Sequence, residues 1–187
     1  MFKSTLVTLV IFFYLGAHAS QAPKISEYGT VFSDDETMAD RWKQVYPLAK
    51  SMSQIDAREF LSLCTESDDW FLQLAALKSY DILLPKTGLT KARVLLKTSP
   101  SLVVRSEAVN FIKNHGGIKD VALLFNALLS SKNFKGKRSL SIRPQIISAI
   151  EFIDVQNLYR KRWKRLKHDS NPRVRSAARA RSNPILF

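Results

Sequence analysis

Cysteine is almost missing from this chain. Cys64 stands alone among 187 residues, so no disulfide can form within the chain. Cys64 follows Phe60, Leu61 and Leu63 and lies five residues before Asp69, as Leu96 and Leu166 lie five before Ser101 and Asn171. That apolar register predicts a small buried hydrophobe rather than a reactive thiol. Histidine is nearly as scarce, with three in all. His115 and His168 have no neighbour at metal-ligand spacing, and each ends a helical pattern, where a cation complements the helix dipole. The chain also lacks a Gly-rich phosphate loop, a nucleophile-elbow serine and an HExxH pair. Glu66, Asp68 and Asp69 cluster at a helix start, where capping accounts for them. No catalytic residue, metal ligand or cofactor site follows from the sequence. Strand-period alternation is absent, and no apolar run reaches the roughly 20 residues of a bilayer span.

Acidic residues are missing from one end. The chain carries 29 Lys and Arg against 16 Asp and Glu. From Lys132 onward there are 15 basic residues and only Glu151, Asp154 and Asp169 to oppose them. Such asymmetry points to a surface that meets something acidic: phosphate, nucleic acid, lipid headgroup or an acidic protein. Elsewhere the composition is that of a folded chain, with 45% hydrophobic residues, enough for a continuous core.

One phrase recurs. Asp69 to Ala76, Ser101 to Ala108, Ser139 to Ile146 and Asn171 to Ala178 superimpose without a gap. Each opens on a helix-capping residue. Three residues later comes an aliphatic one (Leu72, Val104, Ile142, Val174), then a long polar one (Gln73, Arg105, Arg143, Arg175), and then a second core position (Ala76, Ala108, Ile146, Ala178). The aliphatic positions are spaced 32, 38 and 32 residues apart, a period that means stacked supersecondary units. The clearest copy is the second: Ser101 caps, Val104, Ala108, Val109 and Ile112 form one apolar face, and Gly116-Gly117 ends the helix.

Around the repeats, residues 1–19 read as a signal peptide. Lys3 precedes an apolar run, and Ala17-His18-Ala19 offers the small residues that a signal peptidase requires, with cleavage before Ser20. Residues 20–33 read as an extended lead-in and 34–187 as one helical domain. Ser33 to Glu36 forms a capping-box pattern ahead of a helix bearing Met38, Trp42, Val45 and Ala49, which Pro47 should kink or break near Tyr46. Pro85 to Gly88 reads as a turn, and Ser130 to Arg138 as a surface loop that absorbs the six extra residues of the long spacing. Pro144 should be tolerated only near a first turn. Val155 to His168 reads as a helix with Leu158, Tyr159, Trp163 and Leu166 inward.

A capped tight turn followed by aliphatic-Arg and then Ala, best at Asn171 to Ala178 and next at Val104 to Ala108, resembles a HEAT repeat over roughly residues 53–182. The resemblance implies an all-α, right-handed solenoid of about four helix pairs preceded by an extra helix. It also implies a ladder tying neighbouring repeats, which Arg105, Arg143 and Arg175 would form; Gln73 replaces the arginine in the first repeat.

Function enters only as an expectation, because such solenoids are scaffolds for many sites. The leading reading is an exported, periplasmic or secreted, bacterial binding or adaptor module without enzymatic activity. Its concave second-helix surface would take a protein or peptide, and its basic end an acidic ligand. Lys132, Lys135, Lys137 and Arg138 of the loop belong to one repeat only, as do Arg160, Lys161, Lys164, Arg165 and Lys167. These nine are the candidate ligand contacts. A direct polyanion binder is the second reading, and an enzyme of HEAT-like fold, such as a DNA glycosylase, the third.

Overall fold

A computed structural model describes residues 38–134 and 139–183. Among them the chain is all α-helical, without strands. The helices are α1 (Met38–Ser51), α2 (Gln54–Glu66), α3 (Trp70–Leu83), α4 (Pro85–Thr98), α5 (Leu102–His115), α6 (Val121–Leu129), α7 (Ser139–Ile153), α8 (Arg160–Lys164) and α9 (Pro172–Ser182). The expected signal peptide, the lead-in, the Ser33 to Glu36 box and Lys135, Lys137 and Arg138 lie outside the described residues.

Two layers result. The four repeated phrases become α3, α5, α7 and α9, and each packs on the next to form one layer; α2, α4, α6 and α8 pair with them as the other. The extra helix α1 packs more heavily on α3 than on α2, so it occupies the place of one further helix in the repeat layer. Its companion in the outer layer is missing among the described residues.

The core follows the register of the phrase. Val104, Ile142 and Val174 are fully buried, as are Ala76, Ala108, Ile146 and Ala178. Leu72 departs from the pattern and is only half-buried. Cys64 is buried among them, and burial pushes its thiol pKa up to about 12. Helix starts are fixed by side chains: Ser53 accepts the Asp56 N–H, Asp69 that of Phe71, Ser101 that of Val104, and Asn171 those of Arg173 and Val174.

Four expectations are corrected. Pro47 does not break its helix, since α1 continues through it to Ser51. Pro144 lies six residues into α7, beyond the first turn, and α7 continues around it. Pro85 does not make a turn but opens α4 as its first residue, where the missing N–H would have no helical partner in any case. Gly88 then falls inside α4 and is buried; a Cβ there would stand 2.5 Å from both the Phe111 ring and Tyr80 Cβ, so its bare backbone sets how closely α4 approaches α3 and α5. Finally, no helix spans Val155 to His168. The buried Asp154 carboxylate accepts the N–H groups of Leu158 (2.7 Å) and Tyr159 (3.1 Å), and this local bonding competes with helix. Only α8 remains, with Trp163 and Leu166 buried and Leu158 exposed.

Candidate functional site

The repeated polar position holds the turns together. Gln73 donates from Nε2 to the Ser67 carbonyl (2.7 Å), and its Oε1 accepts from the Ser99 hydroxyl of the next turn (2.9 Å). Arg105 donates from Nη1 to the Ser99 and Pro100 carbonyls (both 2.8 Å). Its Nε reaches Asn133 Oδ1 (3.1 Å) and its Nη2 the Lys132 carbonyl (3.3 Å). Arg143 grips Asp169 with both terminal nitrogens (2.9 and 2.6 Å), donates from Nε to the Leu128 carbonyl (3.2 Å), and lies over the Phe134 ring at 3.8 Å. Arg175 bonds only the Asp169 and Ser170 carbonyls of its own turn, both at 2.7 Å, and is half-exposed.

Three turns share a second repeated position, two residues before the cap. Ser67 accepts the N–H of Asp69, Ser99 that of Ser101, and Asp169 that of Asn171. Ser99 and Asp169 close the turn and take the preceding repeat's side chain, Gln73 and Arg143, at once, whereas Arg105 is received by Asn133 and the Lys132 carbonyl. Burial would push the Asp169 carboxyl up, but the Arg143 guanidinium and the Asn171 N–H outweigh it and hold the carboxyl below the ordinary range. Arg105 has neutral partners only, and burial lowers its pKa.

The outer layer has its own ties. Lys91 of α4 bonds Glu66 (2.8 Å) and Ser62 (2.6 Å) of α2, while Arg93 of α4 pairs with Asp120 at 2.6 and 3.0 Å just before α6. Arg162 of α8 reaches back to Asn126 Oδ1 (3.2 Å) and the Ala122 carbonyl (3.4 Å) on α6. Glu66 and Asp69 are thereby accounted for as a pair and a cap. Among the described residues no three His, Cys, Asp or Glu side chains come together. His115 meets Asp81 at 2.5 Å across α5 and α3, and His168 is exposed.

What remains is the basic end. Its acids are all engaged: Asp154 caps two N–H groups, Asp169 holds Arg143, and Glu151 lies 3.9 Å from Arg181. Several cations are engaged too. Arg160, a candidate ligand contact, donates from Nε to the Ser182 carbonyl (3.1 Å), and Arg181 donates to the Asp154 and Glu151 carbonyls. Lys132 is exposed, and its ammonium reaches the Lys97 carbonyl at 3.3 Å. By contrast Lys161, Lys164 and Arg165 are exposed and Lys167 half-exposed, and none has a hydrogen-bond or ion-pair partner among the described residues.

Arg160, Lys161, Arg162 and Lys164 line one open depression of about 530 Å³ together with Leu158 and Tyr159. The position of α8 is fixed from below. Trp163 is buried edge-on against Phe125 with ring centres 5.0 Å apart, so it is core and not a stacking platform. Leu158, expected inward from helical spacing, is exposed beside these cations. The depression offers cationic donors and an apolar rim, with no carboxylate lining it. It can hold an anion. Compared with protein-family models, with characterised proteins and with solved structures, the chain matches none.

Proposed function

We propose that this chain is an exported binding module built like a HEAT-repeat solenoid. It has no enzymatic activity, presents its helix layers to a protein or peptide, and engages an acidic ligand at its basic C-terminal end. One observation carries the last and most specific part. Lys161, Lys164, Arg165 and Lys167 crowd a short segment and have no partners among the described residues, while the carboxylates nearby are committed to caps and ties. Unopposed like charges repel one another and weaken the fold, and they raise the local concentration of an anionic ligand.

The test is retention on immobilised heparin as a function of salt. Lys161→Glu, Lys164→Glu and Lys167→Glu combined should abolish retention and flatten the salt slope by roughly one unit for each phosphate-like contact removed. The fold should hold, because exposed charges contribute at most about 1 kcal/mol each. Wild-type retention in the triple variant would show that the segment is a solvated face only. Export is tested separately: protein recovered from its native envelope should begin at Ser20, and a mature chain that still begins at Met1 in a membrane fraction would replace cleavage with a retained signal anchor.

A further inference from the structure

The segment between α7 and α8 is built to a definite shape, and that shape displays apolar side chains to water. The Asp154 carboxylate, 1% exposed, binds the N–H groups of Leu158 and Tyr159 from inside the loop. The Asp154 carbonyl accepts the Asn157 N–H (3.1 Å) and an Arg181 guanidinium N–H (3.1 Å). Asn157 adopts φ 56, which asparagine tolerates, and its amide donates to the Arg181 carbonyl at 2.6 Å. Tyr159 is held through its hydroxyl to the Ile118 carbonyl (3.4 Å). Between these ties Val155 is 72% exposed and Leu158 64%. A loop pinned from within has no need of aliphatic side chains at such exposure.

Their neighbours are cations. Leu158 lines the same depression as Arg160, Lys161, Arg162 and Lys164. Ile55 is as exposed, at 69%, but it stands beside Asp56 and Glu59. At the Val155 to Lys164 stretch a fixed apolar tip adjoins positive charge, and no carboxylate lines the depression. Polyphosphate would satisfy the cations and leave Val155 and Leu158 in water, because an aliphatic side chain does not bond a phosphate, and a nucleic acid would cover them only at the cost of unstacking a base step. Val155 and Leu158 project into solvent and not into a closed apolar cavity, so the medium that covers them must come from the ligand. A bilayer interface supplies both halves: acyl chains at the headgroup boundary for the tip, and anionic headgroups for the lysines.

We infer that the 154–164 loop and helix is a membrane-docking element that inserts Val155 and Leu158 into the interface of an anionic phospholipid bilayer while Lys161 and Lys164 engage its headgroups. This rests on the reading of the basic end as a ligand surface and names its ligand.

The test places an environment-sensitive fluorophore at the loop tip of the full chain by Leu158→Cys and labelling with nitrobenzoxadiazole. Cys64 does not compete, being buried with its thiol pKa pushed up to about 12. Ile55→Cys, labelled alike, reports on an equally exposed apolar site with acidic neighbours. Vesicles are phosphatidylcholine alone or an equimolar mixture with phosphatidylglycerol. The expected result is a blue shift and intensity gain at position 158 with the anionic vesicles only, and none at position 55. Adding Lys161→Glu and Lys164→Glu to the Leu158→Cys chain should lower partitioning on the order of a hundredfold.

A signal at both positions, or with neutral vesicles alike, overturns the proposal, because binding would then not run through this element. No signal at 158 from a chain that still binds heparin, and loses it on the lysine substitutions, also overturns it and leaves the basic end a site for soluble polyanions. A chain that binds neither vesicles nor heparin removes both readings.

Discussion

Removing the Arg143 guanidinium should be among the most damaging single changes at the turns of this fold, because the side chain is buried and ties two repeats. Arg143→Ala deletes both bonds to Asp169, the bond to the Leu128 carbonyl and the stacking on Phe134. It leaves a carboxylate whose side chain is 7% exposed with one remaining N–H, that of Asn171. Breaking a buried pair from one side costs about 3–5 kcal/mol, chiefly through the stranded charge. Asp169→Ala strands the guanidinium instead. The double variant should therefore cost clearly less than the two singles together, with a coupling of about 2 kcal/mol or more.

The pH dependence has a definite sign. The folded-state pKa of Asp169 lies below its unfolded value of about 3.9. The pair's contribution is thus fully present above that unfolded value and is lost as pH falls through the folded one. In Arg143→Ala the buried carboxyl has lost its cation and protonates readily. The deficit of the variant should be largest near about pH 7 and narrow below about pH 4. Urea unfolding of wild type, both singles and the double, followed by tryptophan emission at the two pH values, measures all of this. A cost under about 1 kcal/mol at neutral pH, or a cost that does not narrow in acid, refutes the reasoning.

Other outcomes are as definite. Gly88→Ala improves helix propensity by about 1 kcal/mol, yet its Cβ would meet Phe111 and Tyr80, so the melting temperature should fall by the equivalent of about 1–3 kcal/mol; a rise would disprove the close approach. Ala108→Asp buries a charge at a fully buried position and should cost several kcal/mol, whereas Glu107→Asp, half-exposed beside it, should be nearly neutral, and equal losses in the two would refute the register. Cys64 should resist a thiol reagent in native buffer and react on unfolding; native-state labelling at the rate of an unfolded peptide would contradict its burial.

The repeat helices and their caps were legible because periodicity and capping are local: Ser101, Asp69 and Asn171 act where the pattern put them. Pro85 was misread because sequence alone does not distinguish a proline that opens a helix from one that ends it, whereas Pro47 and Pro144 lie inside helices that continue around them. At Pro85 the preceding Leu84 leaves the helical region at ψ 57 and α4 begins afresh. The second ladder position was visible and missed. Ser67, Ser99 and Asp169 stand at one offset before their caps, but serine and aspartate look unrelated until the turn shows both accepting the same N–H. Leu158 was assigned inward on helical spacing, and a single buried carboxylate, Asp154, overruled that spacing. The surface cations were legible as an excess, whereas their division into tied and untied ones depends on carbonyls such as those of Ser182 and Ala122, which no pattern of side chains reveals.

The brevity of α8 has a consequence for how binding would be felt by the rest of the molecule. In a stacked array each unit is stabilised only by its neighbours, and the final unit has a five-residue outer helix where α4 has fourteen. Its attachment relies on polar ties, Arg143 to Asp169 and Arg160 to Ser182, around a small apolar group of Trp163, Leu166, Val174 and Ala178. Sub-global opening should therefore start here and leave the middle of the stack intact. Because the untied lysines ride on the same unit, a ligand that bridges them closes the element that opens most readily. Occupancy would then register as slowed amide exchange from Asp154 to Ser182 while exchange in α5 stays unchanged.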